Sequence, residues 1–139
     1  MAPSLVILSP VPLELRQVED AFRALGRVHT QPDVWTSIEG PLGVFFFWTD
    51  DKYTRGDYCP NELAQIEAKM GPVYFAGIRY SVPALFNRAI ELLPAPPGTM
   101  IDNSHGLIRP IEEIRRRIRA GEEWHFDESE WHECPQCAM

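Results

Sequence analysis

Hydrophobic runs and helical stripes alternate along the first half of the chain in an order that predicts a mixed α and β fold. Leu5–Leu8 is an unbroken apolar run, which is typical of a short strand buried on both faces. A helical stripe follows, formed by Leu15, Val18, Phe22 and Leu25. Pro12 precedes this stripe and Gly26 follows it, as expected at the two ends of a helix.

Two further strands and a second helix are predicted next. Val34 to Ile38 and Val44 to Trp48 have the spacing of a hairpin with a longer glycine-containing loop, and the second of these strands lacks polar alternation, which favours a central position. After a polar loop from Thr49 to Pro60, a helical stripe is formed by Leu63, Ile66 and Met70. Val73 to Tyr80 is then a strand with Gly77 as a bulge. The order βαββαβ predicts a ferredoxin-like core, an antiparallel sheet with helices on one face.

The remaining elements are predicted to extend this core by an αβα segment. Ser81 is suited to cap a third helix, whose apolar stripe comprises Leu85, Ala89, Leu92 and Leu93. Thr99 to Asp102 is a short strand, Asn103 to Gly106 a turn, and an isoleucine stripe marks a last helix ending at Gly121. We therefore predict a single α+β domain over residues 1–121 and an acidic C-terminal tail over 122–139.

Charge is distributed unevenly between these two parts. The chain has 139 residues and a formal net charge of −7, yet six of its twenty acidic residues lie in the tail, which has no Lys or Arg. An acidic segment on an almost neutral domain indicates a cationic partner. Residues 1–12 lack the pattern of a signal peptide and no apolar run approaches the length of a membrane span, so we expect a cytoplasmic protein without membrane contact. The three cysteines are expected to be reduced thiols.

A second group of acids and aromatics lies in the polar loop after the central strand. Asp50, Asp51 and Asp57 occur there with Tyr53 and Tyr58. Carboxylates steer a cationic partner and aromatic rings provide rigid contact area, so this loop is a candidate binding surface. An ordinary solvated loop is the alternative.

Two constellations indicate other chemistry. The tail contains four candidate zinc ligands, His125, His132, Cys134 and Cys137, of which the last two form a CxxC. Asp102 and His105 lie after a strand, where an acid and a base could act together, although the same residues are good turn formers. We expect no cofactor and no enzymatic activity; the alternative is a small zinc-binding module or metal-dependent enzyme that uses the His and Cys set.

The arginine-rich segment near the end of the domain does not predict nucleic-acid binding. Arg115, Arg116, Arg117 and Arg119 follow Glu112 and Glu113 at helical spacing, so several of them are expected to form ion pairs on a solvated face. The negative charge of the whole chain gives phosphate binding little electrostatic support.

The segment Met100-Ile101-Asp102-Asn103-Ser104-His105-Gly106, followed by an isoleucine-striped helix and Gly-Glu-Glu-Trp, resembles immunity proteins of bacterial polymorphic toxin systems. The resemblance covers mainly residues 73–124. It implies a protein that binds and neutralises a cognate toxin domain, and Ser104 stands where a further acid is expected.

We therefore interpret the chain as a non-enzymatic inhibitor that covers a basic active cleft and exists as a monomer or weak homodimer. The predicted partner-binding residues are Asp50, Asp51, Tyr53, Asp57, Tyr58, Asp102, His105, Glu122, Glu123, Trp124, Asp127, Glu128, Glu130 and Trp131.

Overall fold

The computed structural model describes residues 4–31, 35–49, 51–79, 82–104 and 107–125, apart from the side chains of Asp51 and Tyr53. The strands are β1 (Ser4–Ser9), β2 (Arg27–Gln31), β3 (Trp35–Gly40), β4 (Gly43–Trp48), β5 (Tyr74–Arg79), β6 (Met100–Asp102) and β7 (Ile108–Pro110). The helices are α1 (Leu15–Phe22), α2 (Asp51–Arg55), α3 (Pro60–Met70), α4 (Pro83–Leu92) and α5 (Ile111–Ala120). The fold is α+β, as predicted from the sequence.

All seven strands of this part of the chain form one antiparallel sheet, in the order β2-β3-β4-β5-β1-β6-β7. This order differs from the predicted ferredoxin-like arrangement, in which β4 would pair with β1. Here β5 lies between them. The strand of the predicted αβα extension joins the same sheet, because β6 pairs directly with β1.

Helices cover both faces of the sheet, so the prediction of helices on one face is wrong. Leu5 and Ile7 of β1 belong to the main core beneath α1, α4 and α5, whereas Val6 and Leu8 belong to a second core with Ile66 of α3. Successive side chains of a strand point to opposite faces, and an apolar run therefore needs cover on both. The unbroken run in β1 explains why the sheet has helices on each side.

α2 holds the loop after β4 against the face of the sheet that α3 covers. Arg55 lies over the ring of Phe75 at 5.0 Å, donates to the carbonyl of Val73 at 2.6 Å and pairs with Glu67 of α3 at 3.1 Å. The sequence predicted only a polar loop here, because five residues give no apolar periodicity.

The glycine after α1 is required by a close backbone approach. Gly26 has φ of 157°, and a Cβ placed on it would lie 2.1 Å from the carbonyl oxygen of Glu39. A Cβ placed on Gly40 would likewise lie 1.9 Å from the carbonyl oxygen of Leu25. The two glycines let β2 begin directly beside the end of β3.

The β3–β4 hairpin itself has a shorter loop than predicted, since only residues 41 and 42 lie between the two strands.

The folded domain continues past Gly121, so the predicted boundary at residue 121 is wrong. Gly121 adopts the left-handed conformation with φ of 73°, its N–H donates to Ile118 and the N–H of Glu122 donates to Arg117. This is a Schellman motif, which reverses the chain at a helix end. The reversal returns Trp124 to the main core, where it is fully buried.

Candidate protein-binding site

Asp102, at the end of β6, is a buried residue that organises the turn into β7. Its Oδ1 accepts from the backbone N–H of Ser104 at 2.8 Å, and its Oδ2 accepts from the hydroxyl of Tyr58 at 2.5 Å. Ser104 has a left-handed backbone with φ of 66°, which the first of these bonds supports. Burial, and next the neighbouring Asp102 carboxylate, raise the pKa of Tyr58 well above its ordinary value. The hydroxyl therefore stays protonated and acts as a donor.

Asn103 connects the same turn to the end of the domain. Its amide Nδ2 donates to the backbone carbonyl of Trp124 at 2.8 Å, and its Oδ1 accepts from the N–H of Leu107 at 3.1 Å. The backbone N–H of Asn103 also donates to the carbonyl of Leu107 at 3.0 Å. Because all these groups are buried, loss of the amide would leave backbone groups without partners.

Two segments that carry acidic residues are therefore joined to adjacent residues at the end of β6. The loop between α2 and α3 is joined to Asp102 through Tyr58, and the segment after α5 is joined to Asn103 through Trp124. These segments are more than sixty positions apart in the sequence, so their proximity is a product of the fold.

Asp57 lies in the first of these segments with its carboxylate 54% exposed. It pairs with Arg79 at 3.2 Å, and the guanidinium of Arg79 also lies over the indole of Trp48 at 4.8 Å. The negative charge of Asp57 is thus partly balanced by a neighbouring cation. Exposed pairs of this kind contribute little to stability.

Glu122 and Glu123 form the second acidic segment, and both are exposed. The carboxylate of Glu123 accepts from the backbone N–H of His125 and lies 3.0 Å from its Nδ1. His125 is buried and stacks on Trp124 with ring centroids 4.2 Å apart. Glu122 and Glu123 are therefore exposed residues directly before a buried pair, Trp124 and His125, and Glu123 is bonded to the second of these.

Trp124 itself is not a surface anchor, which corrects the prediction that it contacts a partner. Its side chain is 0% exposed, and its Nε1 donates to Asn87 of α4 at 2.9 Å. Asp102 is likewise 7% exposed and bonded within the fold, so it positions the turn instead of steering a partner.

Six of the predicted partner-binding residues lie outside the part of the chain that the structure describes. Those that lie outside the described residues are Asp50, His105, Asp127, Glu128, Glu130 and Trp131. Asp51 and Tyr53 belong to α2 by their backbone alone. Of the predicted residues, Tyr58 and Trp124 bond to the turn, and Asp57, Glu122 and Glu123 adjoin these two in sequence.

The predicted zinc ligands are only partly described. His132, Cys134 and Cys137 lie outside the described residues, and no group of three or more candidate metal ligands occurs in the part of the chain that is described. Cys59, in contrast, is disulfide-bonded. The expectation that all three cysteines are reduced thiols is therefore wrong.

The arginines of α5 form the ion pairs with Glu112 and Glu113 that the sequence predicted. Two of them also contact α4, which the sequence did not predict. Arg115 donates to the carbonyls of Ile90 and Leu93 at the end of α4, at 3.1 and 2.7 Å. Arg119 forms two bonds to the carboxylate of Glu91, at 3.2 and 3.0 Å. These residues hold α4 against α5.

A separate concave feature lies where β1 ends and β5 begins. It has a volume of about 240 Å³ and is lined by Pro12, Leu13, Thr49, Tyr74, Phe75 and Ala76. The volume is below that of usual small-molecule pockets, which begin at roughly 300 Å³.

Comparison with known proteins adds no further constraint: no protein-family model, curated protein or solved structure matches the chain. Among the described residues, no helix has the length and apolar character needed to cross a membrane.

Proposed function

We propose that this chain is a non-enzymatic protein-binding inhibitor, an immunity protein that neutralises a cognate bacterial toxin domain by covering its basic active cleft. The observation that supports this proposal is that two segments carrying acidic residues are each bonded to one of the adjacent residues Asp102 and Asn103. Asp102 bonds to Tyr58 and Asn103 bonds to Trp124, so Asp57 and the Glu122–Glu123 pair belong to the same end of the molecule.

Carboxylates collected at one end of a rigid fold favour a cationic partner for two reasons. Their combined potential attracts a positive surface over a distance of about 8 Å at physiological salt, which raises the association rate. The buried bonds of the turn also fix the backbone beneath them, so little conformational entropy is lost when the partner binds.

The ion pair between Asp57 and Arg79 is suited to the same role. An exposed pair of this kind has a small net energy, so Asp57 can exchange Arg79 for a partner cation at little cost. Arg79 keeps its contact with the ring of Trp48 after such an exchange.

The test first seeks a toxin domain among the reading frames that adjoin the gene and then measures its association with this chain. Glu122→Gln with Glu123→Gln removes two charges, yet a glutamine oxygen can still accept the bond from His125. Glu14→Gln with Asp20→Asn is the matched control, because it removes the same charge from two exposed positions, the N-cap of α1 and the helix itself. We expect the first variant to associate roughly three- to tenfold more slowly at low salt, with a weaker salt dependence, and the control to match the original chain. Equal association rates for both variants would contradict the proposal.

A further inference from the structure

β2 forms one edge of the sheet and lacks most of the features that protect an exposed edge. It has five residues, four of them exposed, and it pairs one-to-one with β3 over its whole length. Its sequence contains no proline, glycine or lysine, and its one charged residue, Arg27, lies opposite Glu39 of β3. Natural sheets guard their edges with short strands, bulges, prolines, lysines or a covering segment. Among the described residues, no strand pairs with the outer side of β2.

The opposite edge of the sheet is protected. β7 has three residues, ends in Pro110 and leads directly into α5. Proline has no N–H to donate, and so short a strand gives an incoming chain little backbone to pair with. Of the two edges of the described sheet, β2 is therefore the one suited to accept a further strand.

The backbone groups of Val28 and Thr30 point to the outer side of β2. The carbonyl of His29 faces β3, because it accepts a bond from the hydroxyl of Ser37 at 3.4 Å. In an antiparallel pair, the N–H and C=O of one residue point to the same side of the strand, and that side alternates from residue to residue. Val28 and Thr30 therefore direct two donors and two acceptors away from β3.

We propose that β2 pairs with β2 of a second copy of this chain, so that two sheets join into one antiparallel sheet across a two-fold axis. The axis passes beside His29, which lies opposite His29 of the second copy. Val28 of each copy then lies opposite Thr30 of the other, and each such pair exchanges two backbone hydrogen bonds. This inference does not depend on the proposed function.

The register centred on His29 uses the whole strand. All five residues of each β2 have a partner in it, whereas an axis at Val28 or at Thr30 would leave two residues of each strand without one. A two-fold contact places the same surface of both copies together, so it requires a surface that is complementary to itself. β2 meets this requirement in its backbone.

The side chains of β2 are also complementary in this register, which favours a second copy as the occupant. Arg27 lies opposite Gln31 of the second copy, and its guanidinium can donate to the amide oxygen. The two copies of Arg27 are four residues apart along the strands, about 14 Å, which exceeds the screening length of roughly 8 Å. β2 has no acidic residue, so two copies of a chain with a net charge of −7 can meet there without opposing carboxylates on the paired strands.

The joined sheet leaves the proposed toxin-binding end uncovered by the second copy. β2 and β6 are five strand spacings apart in the sheet, a distance of about 24 Å. The segments bonded to Asp102 and Asn103 therefore lie away from the dimer interface. A dimer formed through β2 would present two such ends, one in each copy.

Sedimentation velocity of the full-length chain tests the pairing at concentrations from roughly 5 μM to 1 mM. Two five-residue strands form a small interface, so we expect a reversible dimer with a dissociation constant of roughly 10–300 μM. Because Cys59 is disulfide-bonded, the measurement is made with and without reductant. A dimer that appears only without reductant would be held by a disulfide and would overturn the proposal, as would a monomer at the highest concentration.

Two substitutions that each add one negative charge to β2 test the register. His29→Glu places two carboxylates opposite one another at the axis and should weaken the dimer roughly three- to tenfold. Gln31→Glu places each new carboxylate opposite Arg27 of the other copy and should strengthen the dimer by a similar factor. An effect of net charge alone would shift both dissociation constants in the same direction, and that result would overturn the register.

A further pair of variants tests the backbone bonds. Thr30→Pro removes an N–H on the outer side of β2, so two of the four bonds across the interface are lost and the dimer should weaken at least about tenfold. Thr30→Ala is the matched control, because it also loses the side-chain bond to Thr36 but keeps the N–H. Circular dichroism establishes that both variants fold, and the two charge variants decide the question if Thr30→Pro does not. A folded Thr30→Pro variant that dimerises as well as Thr30→Ala would overturn the strand pairing.

Discussion

Replacing Trp124 by alanine is expected to destabilise the fold by about 4 kcal/mol. The side chain is 0% exposed and packs in the main core. Buried aromatic side chains remove roughly 150–250 Å² from water, which corresponds to roughly 4–6 kcal/mol as an upper value, and measured Trp-to-Ala changes in cores cost about 3–5 kcal/mol. The variant also leaves Asn87 without the indole donor that it now accepts from at 2.9 Å.

Urea unfolding followed by circular dichroism, in the presence of reductant, measures this change in the free energy of unfolding. Trp35→Ala is the matched control, because Trp35 is 41% exposed and should cost only about 1 kcal/mol. Removal of residues 126–139 leaves every described contact of Trp124 in place, so this truncation is expected to change stability far less than Trp124→Ala. If Trp124→Ala left the midpoint unchanged, residues 122–125 would be a solvated tail and our account of the turn would be wrong.

Three further changes test other parts of the fold. Gly26→Ala should lower the free energy of unfolding by about 2–4 kcal/mol, because the new Cβ adds backbone strain and overlaps the carbonyl of Glu39. Gly43 also has a positive φ but has open space around it, so Gly43→Ala should lower the free energy less. Thermal unfolding of both variants separates strain from overlap. The pKa of Tyr58 is raised in the folded state, so its contribution to stability is complete below about pH 10 and is lost as the pH rises through the folded-state pKa. Absorbance titration at 295 nm should show one tyrosine that ionises at a higher pH than the others, and this tyrosine should be missing in Tyr58→Phe. Arg115→Gln should lower the free energy of unfolding by about 1.5–3 kcal/mol, because two carbonyls at the end of α4 lose their donor. Arg116→Gln, at a side chain that is 75% exposed, should lower it by less than about 0.5 kcal/mol in the same unfolding assay.

The elements with a strong apolar pattern were predictable from the sequence, but their arrangement was not. The run in β1 indicated a strand buried on both faces, and the stripes of α1, α3, α4 and α5 marked four helices. β2 was missed because most of its side chains are exposed at the sheet edge. Strand order depends on which edges pair over long sequence distances, and periodicity carries no information about that choice.

In the candidate site, too, the sequence indicated individual residues but not which of them contact one another. Asp57, Tyr58 and Asp102 were recognised as residues of interest, yet the bond between Tyr58 and Asp102 joins positions 44 apart. We assigned Trp124 to a tail because the amino-acid composition of residues 122–139 shows their charge but does not show which side chains are buried. One apolar side chain after a left-handed turn is enough to anchor a segment that is otherwise acidic. The Asp102-Asn103 pair was visible as a turn, but its role in joining two distant segments required the fold.

Hydrogen–deuterium exchange on the chain, alone and bound to the proposed toxin partner, tests the proposed acidic end most directly. We predict that binding slows exchange in the loop around Asp57 and in the segment from Gly121 to His125, while α1 and β2 exchange at the same rate in both states. Slower exchange confined to α1 and the β2–β3 edge, with no change at the turn, would contradict the account.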